Sequence, residues 1–579
     1  MSTKHFVRYE PQESPPHPLA AGLGLQMVVL IVTGVMVTPL VVARAANLDP
    51  GQAAWLVFGA LVASGVSTWM QIMRVGIIGG GFVLFVGSNV AFVSVCVSAL
   101  GAGGLPLMAT LVCVASLFTF LFTWKMGALR RVLTPAVGGT VLMLMALSVA
   151  PVVWNMFKKV PPEFAGTATP AIILCSTLVP IVVVSLFARD MLRLWAPLVG
   201  VVVGSGVAYS YGLVDTAPIA AAPWIGLPAA DWPGFTTQLD EKFWALLPAF
   251  VLITLVGCIE TYADGLAVQR ASYRETKPID FRAVQGAINA DGTGSFFAGL
   301  LGTVPNTVYS MSVGVMELTK VASRRVGLWG GVFLVLLAFS PKIGALVGAL
   351  PSPVAGGYLL MILVLLFGHG VRMVTEEPLG FEAGVAVCLG FWVGVGFQGG
   401  FLFNELMPAW AKLFLSNGTT SGGLTAILLM ALLSLKERTR DKLSAPLDMA
   451  ALGELRKLVG GFCTRLGWDK QAENRLMLVA EESLLFLLEN QARGPNKESS
   501  SQLHVRLRQI DHEAELEYIS APASVNIETA VAEVNANAES EESLEDALSL
   551  RLLQGMTRDL KHLQYHGTDY LLMRVDTAA

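Results

Sequence analysis

Two acidic residues stand four positions apart inside an otherwise apolar stretch of the chain. Glu260 and Asp264 belong to the segment from Phe243 to Val268, which contains no Lys, Arg or His. On a helix, residues at this spacing project from one face, about 5–6 Å apart at Cβ. A carboxyl at bilayer depth is costly unless it faces a cavity, has a partner or takes up a proton. The pair therefore indicates a site for a polar ligand or a proton.

The composition is typical of a membrane protein. Hydrophobic residues make up 54% of the 579 residues and charged residues only 14%, which lies outside the range of soluble domains. The net charge of −4 gives no indication of a nucleic-acid partner. Apolar stretches of membrane-spanning length recur from about 19 to 435. They predict about fourteen spans, near 20–45, 52–72, 77–98, 104–124, 131–154, 168–188, 194–212, 243–268, 285–302, 305–319, 326–349, 352–371, 380–400 and 419–436.

The chain accordingly divides into an N-terminal segment (1–18), a membrane domain (19–436), a linker (437–450) and a soluble domain (451–579). With a cytoplasmic N-terminus, nearly all loop Lys and Arg residues fall on the cytoplasmic side, and only Lys158 and Lys159 clearly disagree. This bias predicts an even number of spans in the plasma or inner membrane, with both termini in the cytoplasm. The polar N-terminus lacks the features of a cleavable signal peptide.

Two of the predicted spans are poor continuous helices. The third, VGIIGGGFVLFVGSNVAFVSV, begins with a glycine run and is interrupted again at Gly87, Ser88 and Asn89. The tenth, GTVPNTVYSMSVGVMELTK, has Pro305 and Asn306 near its start. Each is third in a group of seven, a pattern typical of inverted-repeat transporters whose broken helices form a binding site near the midplane. Alternatively, the small residues only allow close helix packing.

At these residues the chain resembles a known family. The stretches INADGTGSFFAGLLGTVPNTVYSMSVGVMELTKVASRRVG (288–327), ETYADGLA (260–267) and GSNVAF (87–92) resemble the nucleobase/ascorbate transporters, also called xanthine/uracil permeases, and the resemblance covers about 17–436. It implies a polytopic all-α membrane fold with fourteen helices in two inverted repeats of seven. Spans 1–4 and 8–11 would form a core domain, and spans 5–7 and 12–14 a gate domain. The resemblance also implies a purine or pyrimidine substrate, a coupling proton or sodium ion, and a homodimer formed through the gate domains.

The resemblance assigns roles to individual residues. Glu260 matches the family's substrate-binding glutamate, and Glu260, Asp264 and Asp291 match its ion-coupling acids. Its substrate site would also include Gln26, Met27, Ser88, Phe92, Ser310, Met311 and Ser312. A carboxylate can accept two hydrogen bonds from adjacent N–H groups of a planar heterocycle. Alternatively, Glu260 and Asp264 are a structural pair bonded to backbone or to a cation, and Asp291 caps the ninth helix.

Two positions depart from the family pattern. Met311 stands where an amide or carboxylate is usual, and Gln26 is followed by Met27 instead of histidine. A thioether is polarizable and only a weak acceptor, so we expect a more apolar pocket and an unusual substrate. The segment 302–307 and the ADG triplet resemble purine-type members, which favours molecules like xanthine or urate.

The soluble region resembles a GHKL ATPase fold, especially the anti-sigma-factor serine kinases. The predicted elements are helices at LRKLVGGFCTRLG, ENRLMLVAEESLLFLLENQ and LSLRLLQGMTRDLKHLQYH, and strands at LHVRLRQI, AELEYISA and DYLLMRV. Phe486 stands where the magnesium-holding Asn is expected, four residues after Glu482, and the glycine-rich boxes are absent. We therefore expect an α/β sandwich that does not hydrolyse ATP and that regulates the transporter or binds a protein partner.

These observations predict a secondary active transporter of a nucleobase or similar planar heterocycle, coupled to protons or sodium and working by an elevator movement. An organic-anion carrier and a non-transporting receptor that signals through its tail remain alternatives. No nucleophile and base pair, metal set or cofactor motif indicates an enzyme, and the six cysteines lack metal or redox spacing.

Overall fold

The structure is a computed structural model. It describes residues 7–129, 134–164, 166–228, 230–274, 280–375, 380–402, 405–408, 415–436, 441–493, 502–510, 513–520, 553, 555–557, 559–565 and 568–576. The chain forms two compact units. One comprises Phe6–Ser272 with Ala283–Ala431, and the other is built mainly on Leu432–Ala579.

The first unit is almost entirely helical. Its helices are α1 (His17–Ala45), α2 (Pro50–Ile72), α3 (Val93–Leu129), α4 (Pro135–Lys158), α5 (Thr169–Phe187), α6 (Asp190–Leu194), α7 (Ala196–Ser210), α8 (Ala217–Ala221), α9 (Glu241–Ala271), α10 (Phe281–Leu300), α11 (Met311–Thr319), α12 (Arg324–Ala338), α13 (Pro341–Gly348), α14 (Ser352–Thr375), α15 (Phe381–Gln398) and α16 (Gly418–Lys436). Among the described residues, eight helices are long and apolar enough to cross a membrane, or nine with the bent pair α12 and α13. The predicted polytopic membrane fold is confirmed.

Helix α3 covers the end of the predicted third span and the whole of the fourth. Gly104, in its middle, has a φ of 70°, and Pro106 follows two residues later. Glycine adopts positive φ without steric cost, whereas proline donates no backbone hydrogen bond. These two residues distort the backbone locally within α3, which is one helix from Val93 to Leu129.

The two predicted helix breaks are confirmed, and they lie next to each other. Strands β1 (Val86–Ser88) and β2 (Asn306–Val308) pair antiparallel, with Gly87 opposite Thr307. A Cβ at Gly87 would lie 2.5 Å from the ring of Tyr309, so only glycine fits this position. The extended segment of the third span therefore pairs with the extended segment of the tenth span, as the inverted repeat predicts.

The N-terminal segment is bound to the loop between α11 and α12. The Arg8 backbone N–H donates to the Lys320 carbonyl at 2.7 Å, and the Ala322 N–H donates to the Tyr9 carbonyl at 2.8 Å. The Ser323 hydroxyl donates to the Glu13 carbonyl at 2.6 Å. These bonds order the chain just before α1.

The second unit is the predicted α/β domain. Its elements are β3 (Asp441–Pro446), α17 (Ala451–Leu466), α18 (Lys470–Arg493), β4 (Gln502–Ile510), β5 (Glu513–Ser520), β6 (Asp559–Tyr565) and β7 (Thr568–Asp576). The antiparallel sheet has the order β3-β4-β5-β7-β6. Alternate residues such as Val505, Leu516 and Met573 pack against Leu455 of α17 and Leu484 of α18, as expected for a sheet with one covered face.

The end of this domain differs from the prediction. The helix predicted over 548–566 is wrong for 559–565, which form β6, and the register pairs Tyr565 with Thr568. The pairing of 559–565 with β7 outweighs the helical spacing of this segment. Residues 441–446, within the predicted linker, form β3 at the edge of the sheet.

Helices α2 and α12 cross at glycines. A Cβ on Gly65 would lie 2.8 Å from the carbonyl oxygen of Gly331 and 2.6 Å from a methyl group of Val335. Small residues commonly allow such backbone contact in membranes.

We predict that Gly65→Ala lowers the thermal unfolding temperature of the detergent-purified protein, because overpacking of this kind typically costs about 1–3 kcal/mol. Gly257→Ala in α9 is the matched control, since its Cβ would meet no heavy atom within 4 Å. Equal unfolding temperatures for the two variants would contradict this packing.

Candidate functional site

Helix α9 carries the acidic pair beside the broken helices. Glu260 is half-buried, and its carboxylate accepts no hydrogen bond from any other residue that the structure describes. The carboxyl groups of Asp264 and Asp291 are close enough to interact with it electrostatically. Three acids thus meet in apolar surroundings, and Glu260 retains its hydrogen-bonding capacity.

Asp264 and Asp291 are each held by a hydroxyl group. The Ser310 hydroxyl donates to Asp264 Oδ2 at 2.8 Å and joins α9 to the start of α11. The Thr261 hydroxyl donates to Asp291 Oδ2 at 3.1 Å and joins α9 to α10. Asp291 lies in the middle of α10, which begins at Phe281, so the alternative that it caps this helix is wrong.

Two of the predicted site serines support the broken helices. The Ser88 hydroxyl donates to the Val35 carbonyl of α1 at 2.9 Å, and the Ser312 hydroxyl accepts from the Phe85 N–H at 3.0 Å. Both side chains are almost fully buried. Their hydroxyls satisfy the backbone here, which water cannot do inside a membrane.

The remaining predicted site residues contribute apolar surface or lie apart. Phe92 is buried, with its ring 5.9 Å from that of Phe250. Met27 is buried in an apolar cluster of α1 and α2, and Met311 packs against the same cluster. Gln26 is half-buried and forms no hydrogen bond within the described part of the chain. The structure therefore brings together the three acids and Ser310, but it does not join Gln26 to them by a hydrogen bond.

Thr261 and Tyr309 are polar residues of this region to which the sequence analysis gives no role. The Tyr309 hydroxyl donates to the Ser88 carbonyl at 2.9 Å, which ties β2 and α11 to β1. Both residues are polar neighbours of predicted site residues in apolar segments, and this signal could have identified them. No cluster of three or more His, Cys, Asp or Glu side chains suited to a metal ion occurs among the described residues.

These features define a class of protein. Three features are typical of an inverted-repeat membrane transporter. They are apolar spanning helices, two broken helices paired at their extended segments, and a carboxylate on α9 with no hydrogen-bond partner among the described residues. Residues 20–405 match the sequence model of a permease family, the xanthine/uracil permeases. The chain belongs to this permease family, which indicates a transporter with a small-molecule substrate and not an enzyme.

Individual relatives cover most of the membrane unit. The chain is 30% identical over 421 residues to a putative purine permease of Clostridium perfringens, covering 71% of this chain and 89% of that protein. It is 27% identical over 436 residues to the xanthine permease XanP of Escherichia coli (73% and 93% covered) and 28% identical over 426 residues to the uric acid permease PucJ of Bacillus subtilis (72% and 93%). Among solved structures, murine Solute Carrier 26 family member A9, an anion transporter, aligns with 12% identity and a TM-score of 0.48, covering 75% of this chain and 70% of that one.

We predict that Thr261→Val lowers the thermal unfolding temperature, because a buried acceptor that loses its hydrogen bond costs about 1–3 kcal/mol. Asp291 Oδ1 already has no partner within the described part of the chain. Thr254→Val on the same helix is the control, since its hydroxyl bonds only the Phe250 carbonyl of the preceding turn. A shift no larger than that of Thr254→Val would show that the Thr261–Asp291 bond contributes little.

Proposed function

We propose that the protein is a secondary active transporter of a nucleobase or similar planar heterocycle, with purines such as xanthine or urate favoured. The observation that carries the proposal is the Glu260 carboxylate, which has no hydrogen-bond partner among the described residues although it lies on α9, the helix that contacts β2. Adjacent N–H groups of a flat ring match its two acceptor oxygens. The names of the purine, xanthine and uric acid permeases among its relatives support this ligand class.

The coupling ion would act through the same three acids. We infer that Glu260, Asp264 and Asp291 each take part in coupling to a proton or sodium ion, without forming one metal-binding cluster, because carboxyls in apolar surroundings favour a neutral or paired state. The hydroxyls of Ser310 and Thr261 donate to two of them and leave Glu260 for the ligand. Core and gate domains would move in an elevator fashion, in a homodimer joined through the gates in the plasma or inner membrane with cytoplasmic termini.

The pocket would be unusually apolar for its family. Ser88, Phe92, Ser310, Met311 and Ser312 lie on the two broken helices, so their backbone groups can also contact a planar ligand. Met27 and Met311 offer polarizable surface without strong hydrogen bonds. We therefore propose that substrate recognition depends on Glu260 and on the shape of the pocket more than on a side-chain amide that hydrogen-bonds the edge of the ring. Gln26 then contributes less to binding than the resemblance implies.

We predict that Glu260→Gln abolishes high-affinity binding of xanthine, urate and uracil while the unfolding temperature is preserved, because an amide offers one acceptor in place of two. Titration calorimetry on purified protein measures this. Glu241→Gln at the exposed start of the same helix is the control. Unchanged affinity in Glu260→Gln would exclude this residue from the site.

Flux measurements separate this proposal from the alternatives. Zero-trans uptake into proteoliposomes is expected for a carrier. A receptor would show ligand-induced stabilisation without uptake, and an organic-anion carrier would be stabilised by small carboxylates instead of nucleobases.

For the soluble unit we propose a regulatory, non-catalytic role in which it contacts a protein partner. The side chain of Phe486 is buried in the core between helices and sheet, so this position offers no ligand for magnesium. The Ser483 hydroxyl, on the same helix, donates to the Val479 carbonyl at 2.6 Å. We therefore propose that this unit keeps a GHKL-like fold, as its sequence resemblance implies, and that it has lost the nucleotide-binding site.

We predict that the full-length protein shows no magnesium-dependent ATP turnover and that deletion of 441–579 preserves ligand binding. The cut precedes β3, so the whole sheet is removed. Affinity should change by no more than a typical coupling energy of about 1–3 kcal/mol. ATP turnover, or complete loss of binding in a well-folded truncation, would make this domain part of the transport cycle.

A further inference from the structure

Two tyrosine hydroxyls, those of Tyr309 and Tyr358, lie next to Gly34 of α1. A Cβ on Gly34 would lie 3.0 Å from the Tyr309 hydroxyl oxygen and 3.2 Å from that of Tyr358. Because both oxygens lie so close to one point, they are at most about 6 Å apart, a separation that a single ligand atom can bridge with two hydrogen bonds. A side chain at this position would crowd both hydroxyls, so glycine allows them to approach α1 closely.

The two hydroxyls differ in their bonding. Tyr309 already donates its proton to the Ser88 carbonyl. Tyr358 is 5% exposed, and its hydroxyl forms no hydrogen bond to any other residue of the described chain. Buried tyrosine hydroxyls usually have a partner. Within the described part of the chain, the Tyr358 hydroxyl is therefore a free donor and acceptor at the edge of the proposed substrate site.

The two tyrosines also belong to different parts of the transporter. Tyr309 follows β2 in the tenth span, which is part of the core domain. Tyr358 lies in α14, the twelfth span and part of the gate domain, and α14 packs against α4 and α5 of that domain. Tyr358 also shares an apolar cluster with Phe92 and Phe250. A gate-domain hydroxyl thus reaches the region where the core-domain site residues lie.

We propose that Tyr358 is a specificity-determining residue whose hydroxyl hydrogen-bonds the bound heterocycle from the gate side. The assignment rests on the proposed function. Glu260 accepts from ring N–H groups, and the phenol donates to an exocyclic carbonyl oxygen. Together they select an oxo-substituted heterocycle, such as an oxopurine or uracil, which presents both kinds of group on one flat ring. The Tyr358 hydroxyl, in the gate domain, thus supplies a polar contact to the ligand. Met27 and Met311, in the core domain, do not supply one.

The test is Tyr358→Phe, which removes one oxygen and keeps the ring. Tyr209→Phe, at the exposed end of α7, is the matched control. Titration calorimetry on the full-length protein compares xanthine, urate, hypoxanthine and uracil, with thermal unfolding measured in parallel. We expect the oxopurine that binds tightest to lose about tenfold in affinity, as one net hydrogen bond implies. Ligands with fewer exocyclic oxygens should lose less, and the control should lose nothing.

The outcomes are distinguishable. Equal affinities in Tyr358→Phe and the unmodified chain would overturn the assignment while leaving the proposed function intact. A uniform loss for all four ligands, together with a lower unfolding temperature, would show a structural role and would also overturn it. If the unmodified chain binds none of the four ligands, the proposed function fails, and the assignment fails with it.

Discussion

The fold depends on hydrogen bonding of the backbone where the third and tenth spans are broken. Extended backbone inside a membrane has no water to satisfy it, and each unpaired group costs several kcal/mol. The β1–β2 pair satisfies part of this requirement, and hydroxyls from neighbouring helices satisfy more. Thr68 of α2 accepts from the Val86 N–H at 3.1 Å, and Ser295 of α10 donates to the Asn306 carbonyl at 2.9 Å. The broken helices and the helices around them must therefore be assembled as one unit.

This requirement determines which polar groups remain for a ligand. Ser88 and Ser312 use their hydroxyls on backbone, and Ser310 and Thr261 use theirs on carboxylates. Asp264 and Asp291 each use part of their hydrogen-bonding capacity on a hydroxyl. Glu260 has no partner within the described chain. The hydroxyl groups of this region therefore stabilise the fold, whereas the Glu260 carboxylate can accept hydrogen bonds from a ligand.

The sequence predicted those features that depend on local chemistry. The glycine run before Gly87, and Pro305 with Asn306, weaken helix formation locally, so the breaks could be predicted. The segment 559–565 has Leu560 and Leu563 three residues apart, a spacing typical of a helix, so its strand was missed. The meeting of Gly34 with Tyr358 joins residues more than 300 positions apart and has no local signal. Such contacts follow from the packing of the domains, which only the structure shows.

A hydroxyl supplied by the gate has an energetic consequence for transport. A ligand can shift the balance between two domain positions only by the difference in its affinity for them. In the proposed elevator movement, Glu260 and Ser310 would belong to the core domain and move with the ligand, so contacts with them would contribute equally in every position. A contact with Tyr358 exists only while gate and core are adjacent at Gly34. One hydrogen bond of about 0.5–1.5 kcal/mol would then favour that position by a factor of about 2 to 13. Tyr358 would thereby contribute both to substrate specificity and to the equilibrium between the domain positions. Additional polar residues in the core domain could not shift that equilibrium, because they would contact the ligand in every position.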